Sequence, residues 1–163
     1  MRPGELEGAL RGLSLHALLM TVSKVLARAG FGDVQVLDRR QNRQRSRYLG
    51  HELLCEGRIG TIPVSVVVKV VRDEVRTRML DELAGVVRRR SADVGLLVTP
   101  YASRKGAEHP GSRVEVLDGP RLAALLRQHG VGVRPSGDPD YAFFAALEDV
   151  SGRLINFISS TKR

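Results

Sequence analysis

Apolar residues recur along the chain with two different periods, and the switches between the periods separate helices from strands. Between Ser14 and Gly30 they recur every three or four positions, which predicts an amphipathic helix with Ser14 as its N-cap. Residues 62–71 are instead nearly all β-branched, a composition typical of a central strand buried on both faces. The two periods therefore predict a protein that contains both helices and strands.

The order of these elements predicts the architecture. In chain order, the pattern predicts helices at 3–12 and 14–30, strands at 33–37 and 48–56, a turn at 57–60, a strand at 62–71, a helix from 73 to 90, strands at 94–99 and 114–117, and a helix at 118–130. Glu74, Arg78 and Glu82 are spaced as an exposed i,i+4 ladder on the third helix. Strands that alternate with helices after an initial hairpin predict an α/β fold with a mixed central β-sheet flanked by helices.

A Gly- and Pro-rich segment divides the C-terminal part of the chain. It predicts a domain over residues 1–130, a linker over 131–139 and a C-terminal helix over 140–163. The helix carries a short heptad seam of Phe143, Leu147, Val150, Leu154 and Phe157. This seam is compatible with a homodimer through residues 140–159 or with docking on the chain's own domain.

Composition excludes several classes of protein. The chain has 163 residues with 42% hydrophobic and 27% charged, values typical of a globular protein. No stretch approaches a membrane span, and the first residues lack a signal peptide, so we expect a cytoplasmic protein with no membrane partner. Cys55 is the single cysteine and the four histidines are scattered, which argues against zinc chemistry.

The charge balance favours a polyanionic partner. The 26 basic residues outnumber 18 acidic residues, and all but four of the basic residues are arginine. Arginine binds phosphate in a bidentate way, so we expect double-stranded DNA to be the partner. The candidate phosphate contacts are Arg39, Arg40, Arg43, Arg45 and Arg47 in one loop and Arg104 and Lys105 in another. No aromatic residues are interleaved, so little sequence preference is expected; the alternative is a solvated arginine loop.

Several short phrases in residues 14–130 resemble the Mrr-type restriction endonuclease family, which has the PD-(D/E)xK nuclease fold. They are Leu18-Leu19 to Gly30-Phe31, Gly50-His51-Glu52-Leu53-Leu54, Val67-Val68-Lys69, Leu96-Leu97-Val98-Thr99, and Val116-Leu117-Asp118-Gly119 with Leu122-Ala123. In that family an acidic strand residue holds a divalent metal, and a Gln or acid stands two residues before a lysine. The resemblance assigns these roles to Glu52 and Lys69. Val67 occupies the Gln position, and His16 occupies the position of an acid on the first helix.

The residues leave the metal site incomplete. Mg²⁺ needs oxygen ligands, which Glu52 and the carbonyl of Val68 could supply and the hydrocarbon of Val67 cannot. A two-residue turn at Arg58-Ile59 would place Glu52 opposite Ser65, on the face that Val67 and Lys69 share. Glu56 would then lie further along that face.

Three hypotheses follow from the resemblance. The first is a DNA-binding protein with a reduced or inactive phosphodiesterase site, in which Lys69 pairs with Glu52. If the site is active, Glu52 holds Mg²⁺, and Lys69 stabilises the phosphate or positions water. The second is a non-catalytic assembly module that uses the nuclease fold as a scaffold and the C-terminal helix for oligomerisation. The third is a nuclease whose missing ligand comes from a partner subunit.

Overall fold

The fold consists of five helices and five strands within the part of the chain that the computed structural model describes, residues 4–36, 51–103 and 113–160. In chain order they are α1 (Glu5–Arg11), α2 (Leu15–Arg28), β1 (Gly32–Val36), β2 (His51–Ile59), β3 (Ile62–Val70), α3 (Thr77–Arg89), β4 (Val94–Val98), β5 (Val114–Leu117), α4 (Gly119–His129) and α5 (Tyr141–Ser160). None of the helices in these residues is long and apolar enough to cross a bilayer.

The strands form one mixed sheet in the order β1-β2-β3-β4-β5. The first three strands pair antiparallel, and β3, β4 and β5 pair parallel. Parallel neighbours need a crossover connection, which α3 provides between β3 and β4. The α/β prediction of a mixed central sheet flanked by helices is confirmed.

From Val66 onwards, strand β3 is buried on both faces because its side chains alternate between two apolar layers. Val66, Val68 and Val70 belong to the core that also contains the apolar faces of α1, α2 and α4. Val67 belongs to a second core with the apolar face of α3. The odd-numbered positions of β3 therefore lie under α3, and the even-numbered positions lie under the other helices.

Local side-chain chemistry determines where several helices begin. The Ser14 hydroxyl accepts a hydrogen bond from the Ala17 N–H at 3.2 Å, and the Asp118 carboxylate accepts one from the Arg121 N–H at 3.2 Å. Helix α3 begins at Thr77, four residues later than the pattern predicted. The Asp73 carboxylate instead accepts the Glu74 N–H at 2.8 Å, in a turn that precedes the helix.

The hairpin between β2 and β3 turns two residues later than predicted. Ile59 pairs with Ile62, so the turn is Gly60-Thr61, and Gly60 has the left-handed φ of 64° that such a turn requires. The expected turn at Arg58-Ile59 is therefore wrong. The register moves by four positions, and it places Glu52 opposite Lys69 instead of Ser65.

The segment predicted as a linker makes its own backbone contacts. Val133 and Pro139 form a β-bridge, and the Arg134 N–H donates to the Asp138 carbonyl at 2.9 Å. Beyond it, Phe144 and Leu147 on α5 belong to the same core as α2. The first half of α5 therefore packs on the domain, while the homodimer through residues 140–159 stays a prediction.

Candidate functional site

The two candidate catalytic residues lie at facing positions of neighbouring strands. Glu52 on β2 is the direct cross-strand partner of Lys69 on β3. Directly opposite positions of an antiparallel pair share one face of the sheet. For Lys69 this is the face that α3 covers, since Val67 packs beneath that helix. The backbone thus brings both candidates to one place.

Lys69 is an almost fully buried cation with a carboxylate partner. The whole Lys69 residue is 3% exposed, and its ammonium donates a hydrogen bond to Glu82 Oε2 at 3.1 Å. A buried lysine requires such a partner, because desolvation of an isolated ammonium is costly. The sequence predicted Glu52 in this role; the structure shows Glu82 on α3 in it, and the Glu52 side chain lies outside the described part of the chain.

Glu82 is a site residue that sequence reasoning missed. We assigned it to an exposed ladder with Glu74 and Arg78, but Glu74 precedes α3 and Glu82 is half-buried. Its neighbour Leu83 is fully buried against the sheet, so Glu82 lies at the margin of the helix face that packs on β3. The signal that could have revealed Glu82 is the β3–α3–β4 crossover, because a helix that follows a strand in such a unit packs back onto the sheet.

Val67 makes the surroundings of this ion pair apolar. It is fully buried, in the same core as Leu83 and Leu97. A valine at this position offers no oxygen to a metal ion and no hydrogen bond to a neighbouring charge. The position that holds a Gln or an acid in the Q-x-K pattern is therefore closed by hydrocarbon.

Two other polar candidates do not reach Lys69. Glu56 pairs with Ser65, four residues or about 13 Å along the strands from the Lys69 position. It lines a shallow cavity with Phe31 and Arg58 at the other end of the hairpin. His16 lies on α2, which packs on the opposite face of the sheet.

The described donors do not fit a Mg²⁺ site. No group of three or more His, Cys, Asp or Glu residues that could hold a metal ion occurs in the described parts of the chain. Near Lys69, Glu82 already binds the ammonium and Val67 has no donor. No catalytic step through a metal follows from this set of ligands.

The strand ends beside Lys69 define one edge of the sheet, which we call the Lys69 edge. Cross-strand pairing aligns Val36 with Leu53, and Val70 with both His51 and Val98. The β1–β2 connection and the β4–β5 connection both leave the sheet at this edge. These connections contain the candidate phosphate contacts Arg39, Arg40, Arg43, Arg45, Arg47, Arg104 and Lys105, all of which lie outside the described residues.

Hydrogen bonds hold the beginning of the β4–β5 connection at the Lys69 edge. The buried Thr99 hydroxyl donates to the Asp73 carbonyl at 2.7 Å and accepts from the Tyr101 N–H at 3.2 Å. The Asp118 carboxylate accepts from the Ser103 N–H at 3.2 Å. The last described residues before Arg104 are thereby held close to β3 and α4.

The fold and the paired strands define a restriction-endonuclease-like domain, and comparisons with known proteins support this classification. The restriction endonuclease family model Mrr_cat matches residues 10–126, more than half of the chain. The chain therefore belongs to the Mrr-type restriction endonuclease family. A search of curated proteins found no match.

Two solved structures share the fold. The DNA modification-dependent restriction endonuclease AspBHI has a TM-score of 0.61 and 18% identity over 94% of this chain and 41% of that chain. The MspJI restriction endonuclease in complex with a 27-mer oligonucleotide has a TM-score of 0.53 and 19% identity over 82% of this chain and 32% of that chain. The chain thus spans less than half the length of either protein.

Proposed function

We propose that this chain is a DNA-binding protein of the Mrr-type nuclease fold whose metal-dependent phosphodiesterase site is reduced or inactive. The observation that carries the proposal is the pairing of Lys69 with Glu82 beside the buried Val67. The two positions from which the family pattern would supply a cation and a metal ligand are both withdrawn from substrate. The Lys69 charge is neutralised by Glu82, and the Val67 side chain is a hydrocarbon.

Accessibility supports the loss of activity. A catalytic lysine has to contact a phosphate oxygen, at hydrogen-bond distance, in the transition state. The Lys69 side chain is 4% exposed, and its ammonium is already bound to a carboxylate. Phosphate would have to compete with Glu82 for this ammonium.

Charge and topology support DNA as the partner. The chain carries a formal net charge of +8, and its arginine-rich β1–β2 connection joins strands that end at the Lys69 edge. The names of the two structural neighbours also refer to DNA modification and to a bound oligonucleotide. Phosphate contacts of this kind give affinity with little sequence information.

Plasmid nicking tests the proposal directly. We expect the natural protein to leave supercoiled plasmid intact in Mg²⁺ or Mn²⁺, while it retards the same DNA in a gel. Glu52→Ala and Lys69→Ala are the site variants, and Glu56→Ala is the matched carboxylate control on the same strand. Robust metal-dependent cleavage that Glu52→Ala abolishes and Glu56→Ala preserves would overturn the inactive-site proposal.

A second candidate function is an assembly module that acts through α5. The observation in its favour is that Val150 is 42% exposed on the helix whose earlier residue Leu147 is buried in the domain. Leu154 and Phe157 continue the seam in the sequence. Sedimentation of the natural protein and of Val150→Asp tests this function, because a homodimer through this seam should dissociate in the variant. A natural protein that sediments as a monomer at high concentration rejects it.

A further inference from the structure

Glu82 is the more exposed member of its ion pair with Lys69. The two side chains form an ion pair of 3.1 Å, in which the lysine is 4% exposed and the glutamate is 31% exposed. The cation is thus the deep member of the pair, and the carboxylate is the shallow one. Solvent therefore reaches Glu82 more readily than it reaches Lys69.

The apolar side chains beside this ammonium make the loss of its anionic partner costly. Val67 and Leu83 are fully buried in the layer beneath α3, so water does not replace a lost partner easily. Removal of one member of a buried pair leaves an uncompensated charge, which is strongly destabilising. A carboxylate of the chain and a phosphate group from outside are therefore competitors for the same cation.

We propose that Glu82 is an internal anion that keeps Lys69 from contacting a phosphate group. Glu82 is a positioning residue in this role, because it acts on Lys69 and touches no substrate. The inference rests on the proposed function, since it explains how the site is closed. It also predicts that the cation-binding half of a phosphate site is still present beneath the glutamate.

The test is the thermal unfolding of Glu82→Gln in inorganic phosphate, compared with sodium chloride at the same ionic strength. The substitution keeps the size of the side chain and removes its charge. We expect phosphate at several times its Kd to raise the Tm of this variant by roughly 2–4 °C, and to leave the natural protein unchanged. Glu74→Gln, at an exposed position outside α3, is the matched control and should behave like the natural protein.

The double variant Lys69→Met/Glu82→Gln assigns the effect to the ion pair. Loss of the phosphate response in the double variant supports the proposal, and a response that persists without Lys69 overturns it. A folded Glu82→Gln that shows no phosphate response also overturns it.

Failure of Glu82→Gln to fold is decisive as well. If Glu82→Gln does not fold and the double variant does, the unpaired Lys69 charge causes the failure, which supports the proposal. If neither variant folds, Glu82 has another structural role and the proposal is wrong. Plasmid cleavage by the natural protein would instead contradict the proposed function, so the two failures are distinguishable.

Discussion

At the scale of single residues, Val67 has the largest consequence for chemistry. Its side chain is fully buried in the layer under α3, two positions before Lys69. A polar side chain here would bury an amide, which costs about 1–3 kcal/mol unless it finds a hydrogen-bond partner. The same amide oxygen would be a ligand for a divalent cation.

We therefore expect Val67→Gln to lower the stability of the protein and to gain weak Mg²⁺-dependent nicking of plasmid DNA. In this variant Glu52 and the new amide oxygen are the proposed metal ligands. Val67→Met is the control, because it has a similar length and offers no oxygen. Equal activity of the Gln and Met variants would contradict the assignment.

Cys55 gives the core a dependence on alkaline pH. Burial raises the pKa of its thiol from 9.0 to about 11. Below about pH 8 the thiol is protonated in both the folded and the unfolded chain, so it contributes no pH dependence. Between pH 9 and 11 the unfolded chain loses the proton first, and the free energy of unfolding falls by about 2–3 kcal/mol.

Denaturant unfolding at pH 8 and pH 10.5 measures this loss. The comparison protein is Cys55→Ala, which lacks the thiol and keeps every other titratable group. We expect stability to fall more steeply with pH in the natural protein than in the variant. Parallel decreases in the two proteins would show that the thiol has no part in it.

At the scale of elements, the junction of β5 with α4 depends on a glycine. A Cβ on Gly119 would clash with the Pro100 carbonyl oxygen, and the Gly119 N–H donates to the Tyr101 carbonyl at 2.9 Å. The obstacle is backbone, so it cannot rotate away as a side chain would. This close approach joins the start of α4 to the residues that follow β4.

We expect Gly119→Ala to destabilise the protein by about 1–3 kcal/mol, because the backbone at Pro100 has to move. Gly32→Ala is the control: its added Cβ meets nothing within 4 Å, so its effect should stay within about 0.5 kcal/mol. Chemical denaturation of the three proteins gives both values. Similar stabilities for the two variants would refute the steric argument.

The hairpin shows how an element places a site. Gly60 allows the turn at Gly60-Thr61, and this turn aligns Glu52 with Lys69. A turn two residues earlier would have placed Ser65 opposite Glu52. The position of one glycine therefore decides which side chains share the site.

At the scale of the whole molecule, the excess of arginine is the basis of the DNA binding that we propose. The 26 basic and 18 acidic residues make the chain a polycation, but only cations at the bound surface release counterions from DNA. The β1–β2 connection joins strands at the Lys69 edge. The C-terminus of α3 carries the exposed Arg88, Arg89 and Arg90. It leads to the first residue of β4, which lies at the end of β4 that is opposite to the Lys69 edge.

Replacement of the five loop arginines by alanine should reduce the slope of log K against log salt. The five are Arg39, Arg40, Arg43, Arg45 and Arg47. The expected reduction is up to about 0.9 for each phosphate contact that is lost. Alanine at Arg88, Arg89 and Arg90 is the control for net charge. A control that lowers the slope equally per residue would show that the loop has no special role.

The sequence by itself determined the alternation of helices and strands, the burial of β3 on both faces from Val66 onwards and the Ser14 cap. These features follow from the spacing of apolar residues and from local hydrogen bonds, both of which are visible in a linear pattern. It also singled out Lys69 as a buried cation in need of a partner, since the residues on either side of it in the strand are valines.

Only the tertiary structure decided which partner Lys69 has. The residue opposite Lys69 depends on a hairpin register set at Gly60, and the contact with Glu82 depends on the way α3 packs on the sheet. Both are long-range alignments, in which a shift of a few residues exchanges one carboxylate for another at little cost in local propensity. Spacing along the chain does not encode such an alignment, whereas the packing of Leu83 beside Val67 fixes it.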